Sequence, residues 1–225
     1  GKTTLIKMLI TLLAPSAGRA SVAGFDIVSQ AVDVRRSIGY VPQMISTDGA
    51  LTGYENLMFF AKLYDIPRAE LKPRVNASLE FMGLTDVADK LVRKYSGGMI
   101  RRLEIAQSMI HRPPVMFLDE PTVGLDPLAR QTVWQHIQQL RTDYGTTIFL
   151  TTHLMEEADK LCDRVAIMHM GKTVAIGTPS DLKSTIGQED ASLNDVFLHY
   201  TKSSLIAEGD YRDISRARRT AKRLG

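Results

Sequence analysis

Hydrophobic residues along this chain fall into two rhythms. Leu5, Met8, Leu9, Leu12 and Leu13 recur at helical spacing near the start, and Pro15 and Gly18 are placed to stop that helix. Short β-like pieces follow at Ala20–Val22 and Ile38–Val41. From about Ser46 to Arg112 the pattern is helical again. Thr52-Gly53-Tyr54-Glu55 has the form of a capping box leading into the stripe Leu57, Phe60, Ala61, Tyr64, and Pro67 and Pro73 punctuate the region. Val115-Met116-Phe117-Leu118 is wholly apolar and ends at Asp119, as a strand buried on both faces does. A helix from about Pro127 to Tyr144 separates it from a second such run, Thr147–Leu150. Arg164–His169, turning at Met170-Gly171 into Lys172–Ile176, reads as a hairpin. Strands alternating with helices predict an α/β fold with a parallel sheet and a helical insert.

Charge changes this picture at one end only. The chain has 225 residues and a net charge of +3. Six of its basic residues (Arg212, Arg216, Arg218, Arg219, Lys222, Arg223) lie after Tyr211 with one acid, Asp213. The remaining 22 basic and 24 acidic residues leave a body of about −2, which does not indicate nucleic-acid binding. In the tail, Arg212, Arg216, Arg219 and Arg223 follow helical spacing, with Ile214, Ala217, Ala221 and Leu224 on another face. A basic amphipathic helix touching lipid or a membrane protein, and a disordered solvated tail, are both open there. A single cysteine, Cys162, fits a reducing compartment, and no apolar run is long enough to span a membrane.

Four segments carry candidate chemistry, each with a plainer alternative. Gly1-Lys2-Thr3 matches the end of the phosphate-binding loop G-x-x-x-x-G-K-[ST] and opens a helix whose amides favour an anion. Lys2 would reach the β- and γ-phosphates and Thr3 would ligate Mg²⁺; a solvated lysine at a frayed terminus is the other reading. Asp119 and Glu120 sit at a strand's carboxyl end, where α/β sheets place ligands. One would orient magnesium water and the other polarise the attacking water, unless they only cap the next helix. Ser96-Gly97-Gly98 opens a helix with the apolar face Met99, Leu103, Ala106, Ile110, giving a second phosphate site or a plain serine cap. His153 follows another strand end, and is either part of that site or an ordinary surface histidine. Gln43 is uninformative alone.

Taken in order, these segments resemble the ATP-binding-cassette ATPases, from Gly1 to about Ser180. Gly1-Lys2-Thr3-Thr4 matches the end of the Walker A loop and Tyr40-Val41-Pro42-Gln43 the Q-loop. Tyr95–Met99 stands at the Leu-Ser-Gly-Gly-Gln signature, Val115–Glu120 at Walker B, Gly124-Leu125-Asp126 at the D-loop, and Thr151-Thr152-His153 at the switch histidine. "TTHLMEEADKLCDRVAIM" and "SLNDVFLHYT" are most like separate ATPase subunits of daunorubicin-resistance-type multidrug exporters.

That resemblance implies ATP and Mg²⁺ as ligands and hydrolysis by Glu120 with His153. It implies nucleotide contacts from Gly1, Lys2, Thr3, Thr4, Gln43 and Asp126, and metal contacts from Thr3, Gln43 and Asp119. Ser96, Gly97 and Gly98 would meet the nucleotide of a second copy in a head-to-tail dimer, which resolves the doubled phosphate site. A separate transmembrane permease would be the other partner, at the cytoplasmic face of the plasma membrane. The expected organisation is an ATP-binding domain at 1–183 with a helical subdomain at about 46–112, then an extension at 184–225. Because the loop motif is entered partway, its first strands are expected to be missing and these residues alone to be inactive. Met99 and Tyr95 replace the signature's usual Gln and Leu, so Ser96 loses a capping-box partner. The alternatives are a soluble cassette ATPase uncoupled from transport, or a non-catalytic nucleotide-sensing module. Only 53 positions separate Gln43 from Ser96, without sustained heptads, so no long coiled coil is inserted there.

Overall fold

The computed structural model describes residues 1–187 and 190–201, so the basic tail lies outside the described residues. Two compact units appear, one spanning Lys2–His153 and the other containing Gly1 and the described residues from Leu154 onward.

The first unit opens with α1 (Lys2–Leu9), which buries Ile6, and Ile10 just after it is buried too, rather than the expected Leu12 and Leu13, both of them exposed. This helix ends before Pro15 is reached, because Thr11 takes a left-handed conformation and Leu12 and Leu13 donate back to the Lys7 carbonyl. A two-residue ribbon, β1 (Ser21–Val22) with β2 (Phe25–Asp26), and α2 (Ala31–Arg36) lead into β3 (Ile38–Val41). Ile6, Ile10, Val22, Ile27, Val34, Ile38 and Phe117 form the core beneath them.

Three helices follow: α3 (Gly53–Leu63), α4 (Arg68–Phe81) and α5 (Gly97–Met109). The capping box forms as the sequence predicts, the Glu55 amide donating to the Thr52 hydroxyl and the Thr52 amide to the Glu55 carboxylate. Pro73 does not break the helix; it sits inside α4, although it has no amide to donate. The α5 helix is buried nearly all round, including Arg101, Glu104 and Gln107. It lies so close to β3 that a Cβ on Gly39 would come within 2.3 Å of the Ser108 carbonyl oxygen. The Ser108 hydroxyl donates to the Tyr40 carbonyl at 2.8 Å.

Then β4 (Val115–Asp119), α6 (Pro127–Tyr144) and β5 (Thr147–Thr151) complete a parallel sheet in the order β3-β4-β5. The pairing Val41↔Leu118↔Leu150 brings all three carboxyl ends to one edge. The strand β4 is buried as expected, but β5 is only half-buried, with Phe149 37% exposed. Among the described residues β5 is paired on one side only.

The second unit contains α7 (Met155–Leu161), the hairpin β6 (Val165–His169) and β7 (Lys172–Gly177), α8 (Pro179–Ser184) and a helix at 193–201. Met170 and Gly171 both have positive φ, which gives the hairpin the turn its sequence signals. Its core is Ala158, Ile167, Leu182, Leu193 and Val196, and Lys183 pairs with Asp159 at 2.6 Å.

Candidate active site

The carboxyl ends of β4 and β5 and the first turn of α1 bring five of the sequence-predicted residues together. Thr3 donates its hydroxyl to Asp119 Oδ1 at 3.3 Å. Lys2 Nζ stands 3.6 Å from Glu120 Oε1, and His153 Nδ1 is 2.9 Å from Glu120 Oε2. Glu120 ends the strand in a left-handed conformation, φ 51°, a region a non-glycine residue enters only when its surroundings hold it there. Its amide is held by the carbonyl of Thr151 at 3.0 Å and the hydroxyl of Thr151 at 3.2 Å.

Asp119 is 1% exposed. Its Oδ1 receives hydroxyls from Thr3 and Thr151, the latter at 2.5 Å, while its Oδ2 is buried with no hydrogen-bond partner. A buried anionic oxygen left unpaired is costly, and a hard cation beside it would remove the cost. Magnesium takes one or two carboxylates and completes its shell with substrate phosphates and water, so the Thr3 and Asp119 oxygens fit it. The negative charge is felt next door: burial first, and then Asp119, pushes the Tyr40 hydroxyl above its usual range.

Gln43 is held through its backbone. Arg101 on α5 donates to the carbonyls of Pro42 at 2.8 Å and Gln43 at 3.1 Å, and the Gln43 side chain is exposed. Arg101 is itself paired with Glu104 at 3.0 Å, and Glu104 accepts from the Ser46 amide and hydroxyl. Burial pushes the Glu104 carboxyl up, while Arg101 and Ser46 pull it down. The loop 42–46 is thereby clipped to α5 from both sides. Gly1 and Thr4 are exposed.

Ser96, Gly97 and Gly98 do not join this cluster. Ser96 caps α5, its hydroxyl accepting from the Met99 amide at 3.3 Å, so the cap survives without a glutamine. Gly97 faces Leu125, and a Cβ on Gly98 would sit 2.9 Å from that of Ala129. The two glycines are thus pressed on the start of α6, where Asp126 accepts from the Leu128 and Ala129 amides. Asp126 therefore serves as a helix cap here. Tyr95, in place of the usual leucine, is buried and donates its hydroxyl to the Val87 carbonyl at 2.6 Å.

Sequence reasoning gave Thr151 no role of its own beside the switch histidine, and missed Arg101 and Glu104. The signal for Thr151 was a hydroxyl ending an otherwise apolar run. For the other two it was an i, i+3 charge pair flanking the apolar face of α5.

Among the described residues no group of three His, Cys, Asp or Glu side chains could hold a metal, and no helix is long and apolar enough to cross a membrane. Comparison with known proteins points one way. The family profile described as ABC transporter matches residues 1–123. The daunorubicin/doxorubicin resistance ATP-binding protein DrrA of Streptomyces peucetius is 44% identical over 92% of this chain and 62% of its own length. The linearmycin resistance ATP-binding protein LnrL of Bacillus subtilis (strain 168) is 38% identical over 88% of this chain and 65% of its own length. The chain therefore spans a little over three-fifths of these relatives. A solved ATP-binding subunit of an ABC transporter superposes with TM-score 0.77 at 30% identity, covering 89% of this chain and 83% of that one.

Proposed function

The chain belongs to the ABC transporter family, and from that premise we propose that it is the ATP-binding and ATP-hydrolysing subunit of a drug exporter. The observation that carries the catalytic half is the convergence of Lys2, Thr3, Asp119, Glu120 and His153 at one sheet edge, with Asp119 Oδ2 buried and unpaired. The α1 amides and Lys2 bind the β- and γ-phosphates, drawing the ammonium away from Glu120. Thr3 and Asp119 would hold magnesium, and the exposed side chain of Gln43, on its anchored backbone, would be a further ligand. When bound, the ion neutralises charge on the phosphates. Glu120 accepts the proton of the attacking water, giving ADP and phosphate. His153 fixes the Glu120 carboxylate and contacts the γ-phosphate.

The exposed Ser96 and Gly97 and the following amides of α5 would close on the nucleotide of a second copy, and loss of the γ-phosphate would release the pair. Drug export is supported by the names of the two resistance proteins. Contact with a separate permease, at the cytoplasmic face of the membrane, is supported by Met44 and Ile45, which follow Gln43 and are 82% and 65% exposed.

The test is Glu120→Gln in the full-length gene product. ATP affinity by calorimetry should be kept, turnover should fall roughly 10²–10⁴-fold, and ATP should hold a dimer on gel filtration. Near-normal turnover in the variant removes Glu120 from the role. A wild-type protein that binds ATP without turning it over is a nucleotide-sensing module instead.

A further inference from the structure

We propose that Thr151 is a positioning residue that decides which oxygen of Asp119 is free for the metal and holds the turn that carries Glu120. The inference rests on the nucleotide and magnesium site assigned above. A threonine hydroxyl has one proton to give. The Glu120 amide can only donate, so Thr151 Oγ1 must accept there, at 3.2 Å. Its proton is therefore committed to Asp119 Oδ1, at 2.5 Å.

That commitment orients the carboxylate. Oδ1 is occupied by Thr151 and Thr3, and Oδ2 is left buried and without a partner. Thr3 belongs to the same metal sphere, so Thr151 is the anchor that stays in place when Thr3 turns toward an ion. The Asp119↔Thr151 pairing at the end of the β4–β5 ladder fixes where that anchor stands, and Thr151 is itself 6% exposed. The carbonyl of the same residue takes the Glu120 amide at 3.0 Å, supporting the φ of 51° there. One side chain thus aligns the metal carboxylate and the general base together.

The test compares Thr151→Val, Thr151→Ala and Thr151→Ser in the full-length gene product, with Lys2→Ala as a probe of the site itself. Calorimetry gives ATP affinity in EDTA, and electron paramagnetic resonance gives Mn²⁺ affinity in the presence of ADP. Thr151→Val and Thr151→Ala should keep the metal-free ATP affinity and lose about tenfold or more in Mn²⁺ affinity, the weight of one hydrogen bond to a charged group. Thr151→Ser should behave as wild type. Unchanged Mn²⁺ affinity in Thr151→Val or Thr151→Ala overturns the proposal, and so does a Thr151→Ser variant as weak as they are. The alanine and serine variants decide the matter even where valine misfolds. If the wild type binds no Mn²⁺ with ADP and Lys2→Ala leaves ATP binding intact, the site assignment fails and takes this inference with it. If both controls behave as assigned and only the Thr151 variants do not, the inference alone fails.

Discussion

Replacing Arg101 by methionine is the most informative perturbation of the helical region. Its side chain is 6% exposed and that of Glu104 is 1% exposed, so the substitution leaves a carboxylate buried without its cation. Breaking a buried pair from one side costs about 3–5 kcal/mol, a large share of the ~5–15 kcal/mol that holds a typical domain together. The carbonyls of Pro42 and Gln43 lose their donors as well, and that loss is contained in the same figure. Glu104 can soften the penalty by taking up a proton, because burial already pushes its carboxyl up and Arg101 is what chiefly opposes this. The sign follows. A carboxyl raised in the folded state contributes stability below its unfolded value, lost as pH rises through the folded value. Arg101→Met should therefore be more destabilised at pH 7 than at pH 5. Urea unfolding at the two pH values, with the slope of the transition held constant, gives the numbers. Adding Glu104→Leu removes the stranded charge and should recover part of the loss. A single-variant cost below about 1 kcal/mol, or a double variant that merely sums two losses, would refute the reasoning.

His111 and Gly98 supply two further outcomes. Burial, opposed by the Ile38 carbonyl and reinforced by Arg74, lowers His111 to about 4. The stability it contributes is complete above pH 6.5 and lost as pH falls toward 4, about 2 kcal/mol once its partial exposure is allowed for. His111→Gln should flatten that segment of the urea-midpoint profile. Gly98→Ala should lower the melting temperature by pushing on Ala129, and Ala129→Gly should return part of it. Strictly additive effects would mean the two positions do not press on each other.

Elements whose logic is local could be read from sequence. The Thr52–Glu55 box, β3, β4, α6 and the Met170-Gly171 turn each state their structure in a few adjacent residues, and all form where the pattern places them. The end of α1 was missed because Thr11 adopts a backbone conformation that its residue type does not advertise. Pro73 was misread because a proline is tolerated where the surrounding helix is packed on α3. Lys2, Thr3, Asp119, Glu120 and His153 were each legible at a strand end or helix start. Their mutual arrangement was not, since the Thr3–Asp119 contact joins positions 116 residues apart. Arg101 reaches Pro42 across 59 positions, and no periodicity encodes that reach.

The grip of Arg101 and Glu104 on the loop after β3 has a mechanical consequence. Gly97 and Arg101 are about one helical turn apart, roughly 6 Å along α5, too short a rod to bend appreciably. Whatever displaces residues 42–46 must therefore either tear the clip or swing the amides at the head of the helix. Binding free energies are reciprocal. Were a phosphate to bind those amides as proposed above, it would resist displacement of the loop by the same amount that displacement would weaken the phosphate. Two faces of the protein that share no ligand are in this way set against each other, like the two pans of one balance.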